Sequence, residues 1–368
     1  MKIHIEIILA YLLAFIVCLI LTPVLIHISK KKGLLDVPNH RASHAVPTPT
    51  LGGLPIFAGL LSVLVFCLGF GGCISIYYLL GGLMVLVITG VVDDIINLKA
   101  SIRMLIQFAL AFGVASQGIR FVNLHGFFGI YELPVIIQYL ITIFFIVAIT
   151  NAFNLIDGID GLAGGLGFIN MLVLGVVFVL IGQRINTIIC FAMAGALLAF
   201  LLFNFNGARI FMGDTGSLIL GFLTAYLCIQ LTLDSGDSLG FMTGVQKLTV
   251  VFGVVIVPLY DMVRVAIQRV IKKKSPFSAD KTHIHHLLTK TGMNHMRASL
   301  ILYFVHALIL FFIFWFSAKY YWEGIFTAIT IVVLTIEFSA FLELKVAIGK
   351  LFLYNSLRKN IQNKNRFL

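Results

Sequence analysis

Long apolar runs alternate with short polar segments along this chain, and within the runs there is no alternation with a period of two. Runs of about 18 residues or more can cross a hydrocarbon layer of roughly 30 Å. Only helices and closed barrels satisfy their backbone groups in lipid, and barrel strands alternate, so the runs predict transmembrane helices. About eleven spans are predicted, at residues 4–28, 51–70, 74–92, 103–120, 134–150, 162–181, 186–203, 215–233, 247–268, 298–317 and 323–342.

The predicted fold class is an all-α polytopic integral membrane protein. Composition agrees, because the 368 residues are 60% hydrophobic and only 11% charged, with a mean hydropathy of +1.06. Too few polar side chains remain to cover a soluble protein of this length. The division of residues 51–92 into two spans depends on the GFGGC break at 69–73.

Lysine and arginine are distributed unequally between the two sides that these spans define. The side of the C-terminus carries 21 of the 26 basic residues, and the side of the N-terminus carries five. Because positive residues are retained in the cytoplasm, we expect the N-terminus outside and the C-terminus in the cytoplasm. This insertion signal, with some attraction to anionic lipid heads, accounts for the net charge of +11 without a nucleic-acid partner.

Most aspartates fall on the same predicted cytoplasmic side. At the membrane centre each would cost roughly 2.5–3.5 kcal/mol, whereas at the water boundary most of that cost disappears. Carboxylates from several helices are therefore expected to meet at one membrane face. Eight of the ten aspartates lie there: Asp36, Asp93, Asp94, Asp157, Asp160, Asp214, Asp261 and Asp280.

Two adjacent carboxylates, Asp93 and Asp94, stand at the end of a predicted span in the sequence VVDDIINLK. Neighbouring negative charges repel, and a divalent cation is the usual way to remove that repulsion. The alternative is a solvated helix end with Lys99 and Arg103 as counter-ions. The pair alone does not decide between these interpretations.

The segment NAFNLIDGIDGLAGG, residues 151–165, lies between two uncharged runs. Asp157 and Asp160 are three residues apart and would share a face of a helix. The glycines permit sharp turns, close approach of a ligand and free N–H groups for anions, and Asn154 adds an amide. Glycine-dependent helix packing is the alternative, but it does not account for the aspartates.

A third segment, FNFNGARIFMGDTGS at 203–217, contains Asn204 and places Asp214 at the entry to a span. Asp214 is either a metal ligand or a plain turn residue.

Histidines follow a basic run in the longest predicted cytoplasmic loop, at His283, His285 and His286. Without cysteines and among aspartates, they suit phosphate or proton handling better than zinc, with solvated loop histidines as the alternative. Arg41 and His44 are candidate phosphate contacts, or part of an ordinary charged loop. The whole set is typical of metal-assisted transfer of a phosphorylated group.

The chain resembles the polyprenyl-phosphate N-acetylhexosamine-1-phosphate transferase family up to about residue 342. The resemblance is carried by four motifs in order: VVDDIINLK, NAFNLIDGIDGLAGG, FNFNGARIFMGDTGS and DKTHIHHLL. It implies transfer of a sugar phosphate from a UDP-amino sugar to a polyprenyl phosphate, with release of UMP and with Mg²⁺ as cofactor, or Mn²⁺ in its place. The HIHH form and the preceding SADK resemble the branch that transfers GlcNAc-1-phosphate from UDP-GlcNAc to undecaprenyl phosphate, initiating O-antigen, common-antigen or teichoic-acid linkage units.

The resemblance also implies roles for individual residues. They are Asp214 and Asp94 for the metal; Asp93, Asp94, Asp157, Asp160, His283, His285 and His286 for catalysis; and Asn154, Asn204, Arg41, His44 and Asp261 for substrate binding. Asp93 is implied as the general base for the lipid phosphate, or as a group that sets its charge. The family's basic contact near the second span has no unambiguous counterpart, so Arg41 and His44 both stay candidates.

The alternatives to this function are the same reaction with another UDP-N-acetylhexosamine, the reaction of the sister branch, a transporter and a phosphatase. The sister branch, which uses UDP-MurNAc-pentapeptide, carries three consecutive histidines after a proline, a pattern that this chain lacks. A transporter would place ionisable groups near the membrane midplane and often shows inverted repeats, and a magnesium-dependent phosphatase would need no lipid acceptor. Direct in-line displacement and a covalent aspartyl intermediate both remain open.

Residues 1–342 are predicted to form a single transmembrane catalytic domain of the cell inner membrane, followed by a basic cytoplasmic tail at 343–368. The expected partners are UDP-GlcNAc, undecaprenyl phosphate and membrane lipid, with a homodimer left open. The predicted cytoplasmic active-site loops are 29–50, 93–102, 151–161, 204–214 and 269–297.

A reporter fused after Leu368 tests the predicted orientation. We expect activity only from a reporter that works in the cytoplasm, because the basic residues are concentrated on the C-terminal side. Paired fusions to a cytoplasmic and an export-dependent reporter, compared in the same cells, measure this. Activity of the exported form alone would reverse the predicted orientation.

Overall fold

A computed structural model describes residues 2–37, 46–66, 74–127, 129–233, 242–275, 282–317 and 341. Helix predominates throughout these residues. The helices are α1 Lys2–Lys32, α2 Gly53–Phe66, α3 Ile74–Ile96, α4 Ala100–Ser116, α5 Val135–Ile156, α6 Leu162–Leu180, α7 Arg184–Asn204, α8 Gly213–Leu233, α9 Gly244–Ile271, α10 Ile284–Lys290 and α11 His295–Ser317.

Ten of the predicted spans coincide with described helices, and the eleventh, 323–342, lies outside the described residues except for residue 341. Eight described helices are long and apolar enough to cross a membrane: α1, α3, α5, α6, α7, α8, α9 and α11. Two more predicted spans correspond to the shorter apolar helices α2 and α4, of 14 and 17 residues. The chain is therefore a multi-pass, mainly helical membrane protein, as the apolar runs predicted.

Two short antiparallel ribbons accompany the helices and were not part of the all-α prediction. β1 (Leu35–Asp36) pairs with β2 (Thr48–Pro49), and β3 (Asn123–Phe127) pairs with β4 (Ile130–Glu132). Strands of two to five residues are too short to give a period-two pattern, so the sequence did not signal them.

Main-chain hydrogen bonds tie residues 49–53 to the segment just before α8. The Phe211 N–H donates to the Pro49 carbonyl at 2.7 Å, and the Gly52 N–H donates to the Phe211 carbonyl at 2.9 Å. This pairing fixes the backbone that enters α8 at Gly213, whose positive φ of 70° suits glycine.

α8 is the most enclosed of the candidate spans. Within its most apolar stretch 89% of the residues are buried, compared with 22% for α1, which exposes many apolar side chains. Small residues bring neighbouring helices close to α8, as is common in membranes. A Cβ at Gly90 of α3 would lie 2.3 Å from the Thr215 Cα, and one at Gly221 of α8 would lie 2.7 Å from the Thr150 Cα.

Gly90→Ala is expected to destabilise the protein because the added methyl group would overlap backbone atoms of α8. Overpacking of this kind costs about 1–3 kcal/mol. Gly81→Ala is the matched control, since Gly81 lies on the same helix and a Cβ there would meet nothing within 4 Å. Thermal unfolding in detergent should show a lower Tm for Gly90→Ala and an unchanged or higher Tm for Gly81→Ala; equal values would contradict the close contact.

Candidate active site

One cleft of about 570 Å³ lies where the ends of α3, α5 and α8 meet the segments that connect the helices. Asp36 of β1 also lines it, so the β1–β2 ribbon forms part of its wall. Eight of the predicted site residues line the cleft: Asp93, Asp94, Asn154, Asp157, Asp160, Asn204, Asp214 and His286.

Asp94, near the end of α3, caps the first turn of α8. Its Oδ1 accepts the Asp214 N–H at 2.8 Å, while its Oδ2 accepts the Thr215 N–H at 3.1 Å and the Thr215 hydroxyl at 2.6 Å. The first N–H groups of a helix have no partner within the helix, and a negative charge there is favourable. Asp94 therefore fixes the start of α8, and with it the position of Asp214.

Arg103 of α4 contacts two carboxylates of the cleft, those of Asp93 and Asp214. Its Nη1 lies 2.5 Å from Asp93 Oδ2 and 2.6 Å from Asp214 Oδ2. Asp93 is only 4% exposed and also accepts the Leu98 N–H at 2.6 Å. The sequence placed Arg103 only as a counter-ion of the Asp93–Asp94 pair; its contact with Asp214, 111 residues away, depends on the packing of α4.

Asn154, in the last turn of α5, connects that helix to Asp214 at the start of α8. Its Nδ2 donates to Asp214 Oδ1 and, at 3.0 Å, to the Ser217 hydroxyl. Asp214 thus has one carboxylate oxygen on an amide and the other on a guanidinium, which restricts its orientation in the cleft.

Residues 157–161 form the turn between α5 and α6, and we refer to them as the 157–161 turn. The Gly161 N–H donates to Asn204 Oδ1 at 2.7 Å, and the Asn204 Nδ2 donates to the Ile210 carbonyl at 2.9 Å. The Gly158 N–H donates to the Ile156 carbonyl at 2.8 Å. These N–H groups have protein acceptors, so the expected anion site at the glycines is not formed by them.

Asp157 lines the cleft near three other carboxylates, those of Asp94, Asp160 and Asp214. It is half-buried, and within the described part of the chain no hydrogen-bond donor reaches its carboxylate. Burial, followed by the charges of Asp214, Asp94 and Asp160, raises the pKa of Asp157 to about 8. Carboxylates that crowd one cleft in this way repel one another unless a cation lies among them.

The three histidines of α10 and its entry face different directions. His286 lines the cleft, whereas His283 and His285 are buried. The His285 ring packs against the 157–161 turn, where a Cβ at Gly158 would lie 2.2 Å from its Nε2. Burial and the neighbouring His286 lower the pKa of His285 to about 3, so His285 is neutral at physiological pH.

Asp261 of α9 does not line the cleft but supports the histidines from behind. Its Oδ2 contacts His283 Nδ1 at 2.8 Å, and its Oδ1 accepts the Ile284 N–H at 2.8 Å and contacts Arg264 at 3.1 Å. It is 2% exposed. The other predicted substrate contacts, Arg41 and His44, lie outside the described residues.

The carboxylates of the cleft fit a divalent cation that keeps water or substrate as further ligands. Among the described residues, no three His, Cys, Asp or Glu side chains are arranged to enclose a metal ion by themselves. Mg²⁺ is commonly bound by one or two carboxylates together with substrate phosphates and water, so a complete protein cage is not needed. Asp94, Asp157 and Asp214 together supply such oxygen donors.

Asp157→Asn is expected to stabilise the protein in the absence of divalent cations. An unfolded aspartate has a pKa near 3.9, so between about pH 4 and pH 8 the folded Asp157 keeps a proton that the unfolded chain has lost. The Asp157 contribution to stability therefore decreases as pH rises across this window. The gain in Tm should be close to zero at pH 4 and should reach roughly 2–4 °C at pH 8, the shift that about 1 kcal/mol produces.

Thermal unfolding in a chelator at both pH values measures this gain. Glu132→Gln on the exposed strand β4 is the matched control and should change Tm little at either pH. A gain for Asp157→Asn that is as large at pH 4 as at pH 8 would contradict the proposed electrostatic origin.

Comparison with known proteins agrees with this site. Residues 76–232 match the family model described as "Glycosyl transferase family 4". The chain is 33% identical over 309 residues to the "Probable undecaprenyl-phosphate N-acetylglucosaminyl 1-phosphate transferase" of Bacillus subtilis (strain 168), with 82% of each chain covered. It is 33% identical over 294 residues to the undecaprenyl-phosphate alpha-N-acetylglucosaminyl 1-phosphate transferase of Escherichia coli (strain K12), covering 77% of this chain and 76% of the relative.

The protein of the same name from Yersinia pestis is 32% identical over 285 residues, with 76% of each chain covered. The matched family residues include the Asp93–Asp94 pair, the 157–161 turn and Asp214, which are the groups that the structure brings together in the cleft. By this similarity over about three quarters of its length, the chain belongs to the polyprenyl-phosphate N-acetylhexosamine-1-phosphate transferase family, within glycosyl transferase family 4.

Proposed function

We propose that this protein transfers GlcNAc-1-phosphate from UDP-GlcNAc to undecaprenyl phosphate and releases UMP. An acceptor phosphate oxygen attacks the phosphorus that carries the sugar, and the bond from that phosphorus to the UMP oxygen breaks. The observation that carries the proposal is the meeting of Asp93, Asp94, Asp157 and Asp214 in one cleft at the ends of apolar helices. The names of the relatives supply the donor and the acceptor.

We place the cleft at the cytoplasmic face of the inner membrane, with the N-terminus outside. The asymmetry of Lys and Arg supports this orientation. There, a water-soluble nucleotide sugar can meet a lipid phosphate whose chain stays in the membrane. The product would begin a cell-envelope glycan such as O-antigen, common antigen or a teichoic-acid linkage unit.

The proposed cofactor is Mg²⁺, held by Asp214 and Asp94 with Asp157 nearby. Bound there, it would neutralise the pyrophosphate and make UMP a better leaving group. Asp214 is held ready by Asn154 and Arg103, so its carboxylate needs little reorganisation when substrate binds.

The surroundings of Asp93 favour a role in setting the charge around the acceptor phosphate over a role as the general base. Both of its oxygens already accept hydrogen bonds, from Leu98 and Arg103, which makes it a weak base. A phosphate monoester has a second pKa near 6 and is mostly a dianion at neutral pH, so the acceptor does not require deprotonation. We propose that Asp93 orients Arg103 toward the acceptor phosphate, which supports direct displacement without an aspartyl intermediate.

The side of the cleft that is formed by the 157–161 turn is proposed to bind the donor. Asp160 and Asn204 lie in the cleft at the 157–161 turn, where the nucleotide and sugar are expected, and His286 is placed to meet the diphosphate. His283 and His285 are buried, so we assign them to holding α10 in place. Asp261 fixes His283 and the start of α10, which accounts for its acidic character without a substrate contact.

Asp214→Asn tests the proposed metal site. We expect kcat to fall by about 100-fold or more, the scale for removal of a group that stabilises charge in the transition state. The assay follows UMP release and lipid product from purified protein, undecaprenyl phosphate and UDP-GlcNAc over a range of Mg²⁺ concentrations. A variant that is folded by size exclusion and retains wild-type turnover at low Mg²⁺ would exclude Asp214 as a ligand.

The choice of donor is tested by competition between UDP-GlcNAc and UDP-MurNAc-pentapeptide on one preparation. Only the GlcNAc lipid should form, because a compact pocket leaves buried polar groups unpaired when the wrong donor binds. Efficient formation of the pentapeptide lipid would assign the chain to the sister branch. Absence of both products and of UMP release would instead favour another class, such as a transporter.

A further inference from the structure

Three side chains of α11 contact the 157–161 turn, although none of them belongs to the four sequence motifs. The Ser299 hydroxyl donates to the Asp160 carbonyl at 2.9 Å, and the Tyr303 hydroxyl donates to the Gly161 carbonyl at 2.5 Å. The His295 Nδ1 lies 3.3 Å from Asp160 Oδ1. Residues four apart share a face of a helix, so these three form one row, which we call the α11 row.

The ring of Tyr303 fits against the turn because glycines face it. A Cβ at Gly165 would lie 2.0 Å from the Tyr303 Cζ, and one at Gly161 would lie 3.2 Å from the Tyr303 hydroxyl. Phe205 stacks with the Tyr303 ring, with the centroids 6.1 Å apart, and also lies against Gly161, where a Cβ would be 2.5 Å from its Cδ2. The glycines of this motif therefore admit a protein side chain, where the sequence suggested close approach of a ligand.

The other side of the turn is held by the segment that follows α7. The Asn204 Oδ1 accepts the Gly161 N–H at 2.7 Å, and the Ala208 N–H donates to Asp160 Oδ2 at 3.2 Å. Asp160 thus accepts hydrogen bonds at its carbonyl and at one carboxylate oxygen, and the Gly161 N–H that follows it is also bonded; His295 lies beside the other carboxylate oxygen. The direction of Asp160 in the cleft depends on the α11 row on one side and on this segment on the other.

The α11 row is separate from the groups that form the opposite wall of the cleft. Asp93, Arg103 and Asp214 contact one another, and within the described part of the chain no hydrogen bond joins them to the row. Asn154 of α5 contacts Asp214, but the polar contacts of the row among the described residues are only with the turn, so the row can be perturbed without changing a direct contact of Asp93, Arg103 or Asp214.

We propose that His295, Ser299 and Tyr303 are positioning residues that set the affinity for the UDP-sugar donor by fixing the 157–161 turn. This inference rests on the proposed function for the identity of the donor. The row acts through Asp157 and Asp160 and does not touch substrate. Weakening it should raise the donor KM and leave the acceptor KM unchanged, because the groups assigned to the acceptor are held by the opposite wall.

Tyr303→Phe removes one hydroxyl and keeps the stacked ring. We expect the donor KM to rise about three- to tenfold, the effect of losing one hydrogen bond, with the acceptor KM unchanged. Tyr139→Phe is the matched control, since Tyr139 is a half-buried tyrosine near the far end of α5, under Arg120. A fall in Tm and kcat with both KM values moved equally would mean a purely structural role and would overturn the proposal.

A pair of substitutions at His295 asks whether the contact with Asp160 matters. His295 is half-buried at the start of α11, so both variants are expected to fold. His295→Gln keeps a side-chain N–H donor and should retain a donor KM close to that of the wild type, whereas His295→Met has similar size without a donor and should raise it. Equal KM values for the two variants would exclude a positioning role for this side chain.

Amide hydrogen exchange tests the row without any assay of transfer. Peptides that contain residues 157–165 should exchange faster in Tyr303→Phe than in wild type or Tyr139→Phe, while peptides that contain Asp93 should not change. Unchanged exchange at 157–165 would overturn the proposal even if the wild type is an active transferase. Faster exchange together with an inactive wild type would keep the positioning role and reject the proposed function.

Discussion

The contact between Asp94 and the first turn of α8 is the interaction on which the cleft depends. One carboxylate at the end of α3 accepts two N–H groups and a hydroxyl from the start of another transmembrane helix. Such a contact satisfies donors that are costly to leave unpaired at a membrane boundary. It also fixes Asp214, which Arg103 and Asn154 then orient. Helix caps usually stabilise only the helix, but the cap that Asp94 provides also positions Asp214 in the cleft.

The cleft combines two differently supported walls. The Asp93–Arg103–Asp214 contacts are charge-assisted and short, and they belong to α3, α4 and α8. The 157–161 turn is held by amides, hydroxyls and close contacts at glycines, which come from α11 and from the segment after α7. Asp157, the first residue of that turn, accepts no hydrogen bond from a described residue, and a cation would relieve the crowding of carboxylates around it.

Much of the site could be predicted from types of residue and their order. Eight predicted site residues line the cleft because carboxylates and amides at helix ends avoid the cost of the hydrocarbon layer, so several must share one face. The glycines of the 157–161 turn were expected to allow close approach of a ligand, with helix packing as the alternative, and they admit the side chains of His285 and Tyr303. Asp261 was expected at the substrate, and it lies behind His283. Spacing in sequence cannot distinguish a glycine beside a ligand from one beside a ring.

The sequence by itself determined the class of protein and most helix positions, because transfer of residues from water to lipid depends on local composition. The pairing of Arg103 with Asp214, the capping of α8 by Asp94 and the row of His295, Ser299 and Tyr303 were decided only by tertiary structure. Each joins residues far apart in the chain, and such contacts form only where close packing brings particular helix faces together.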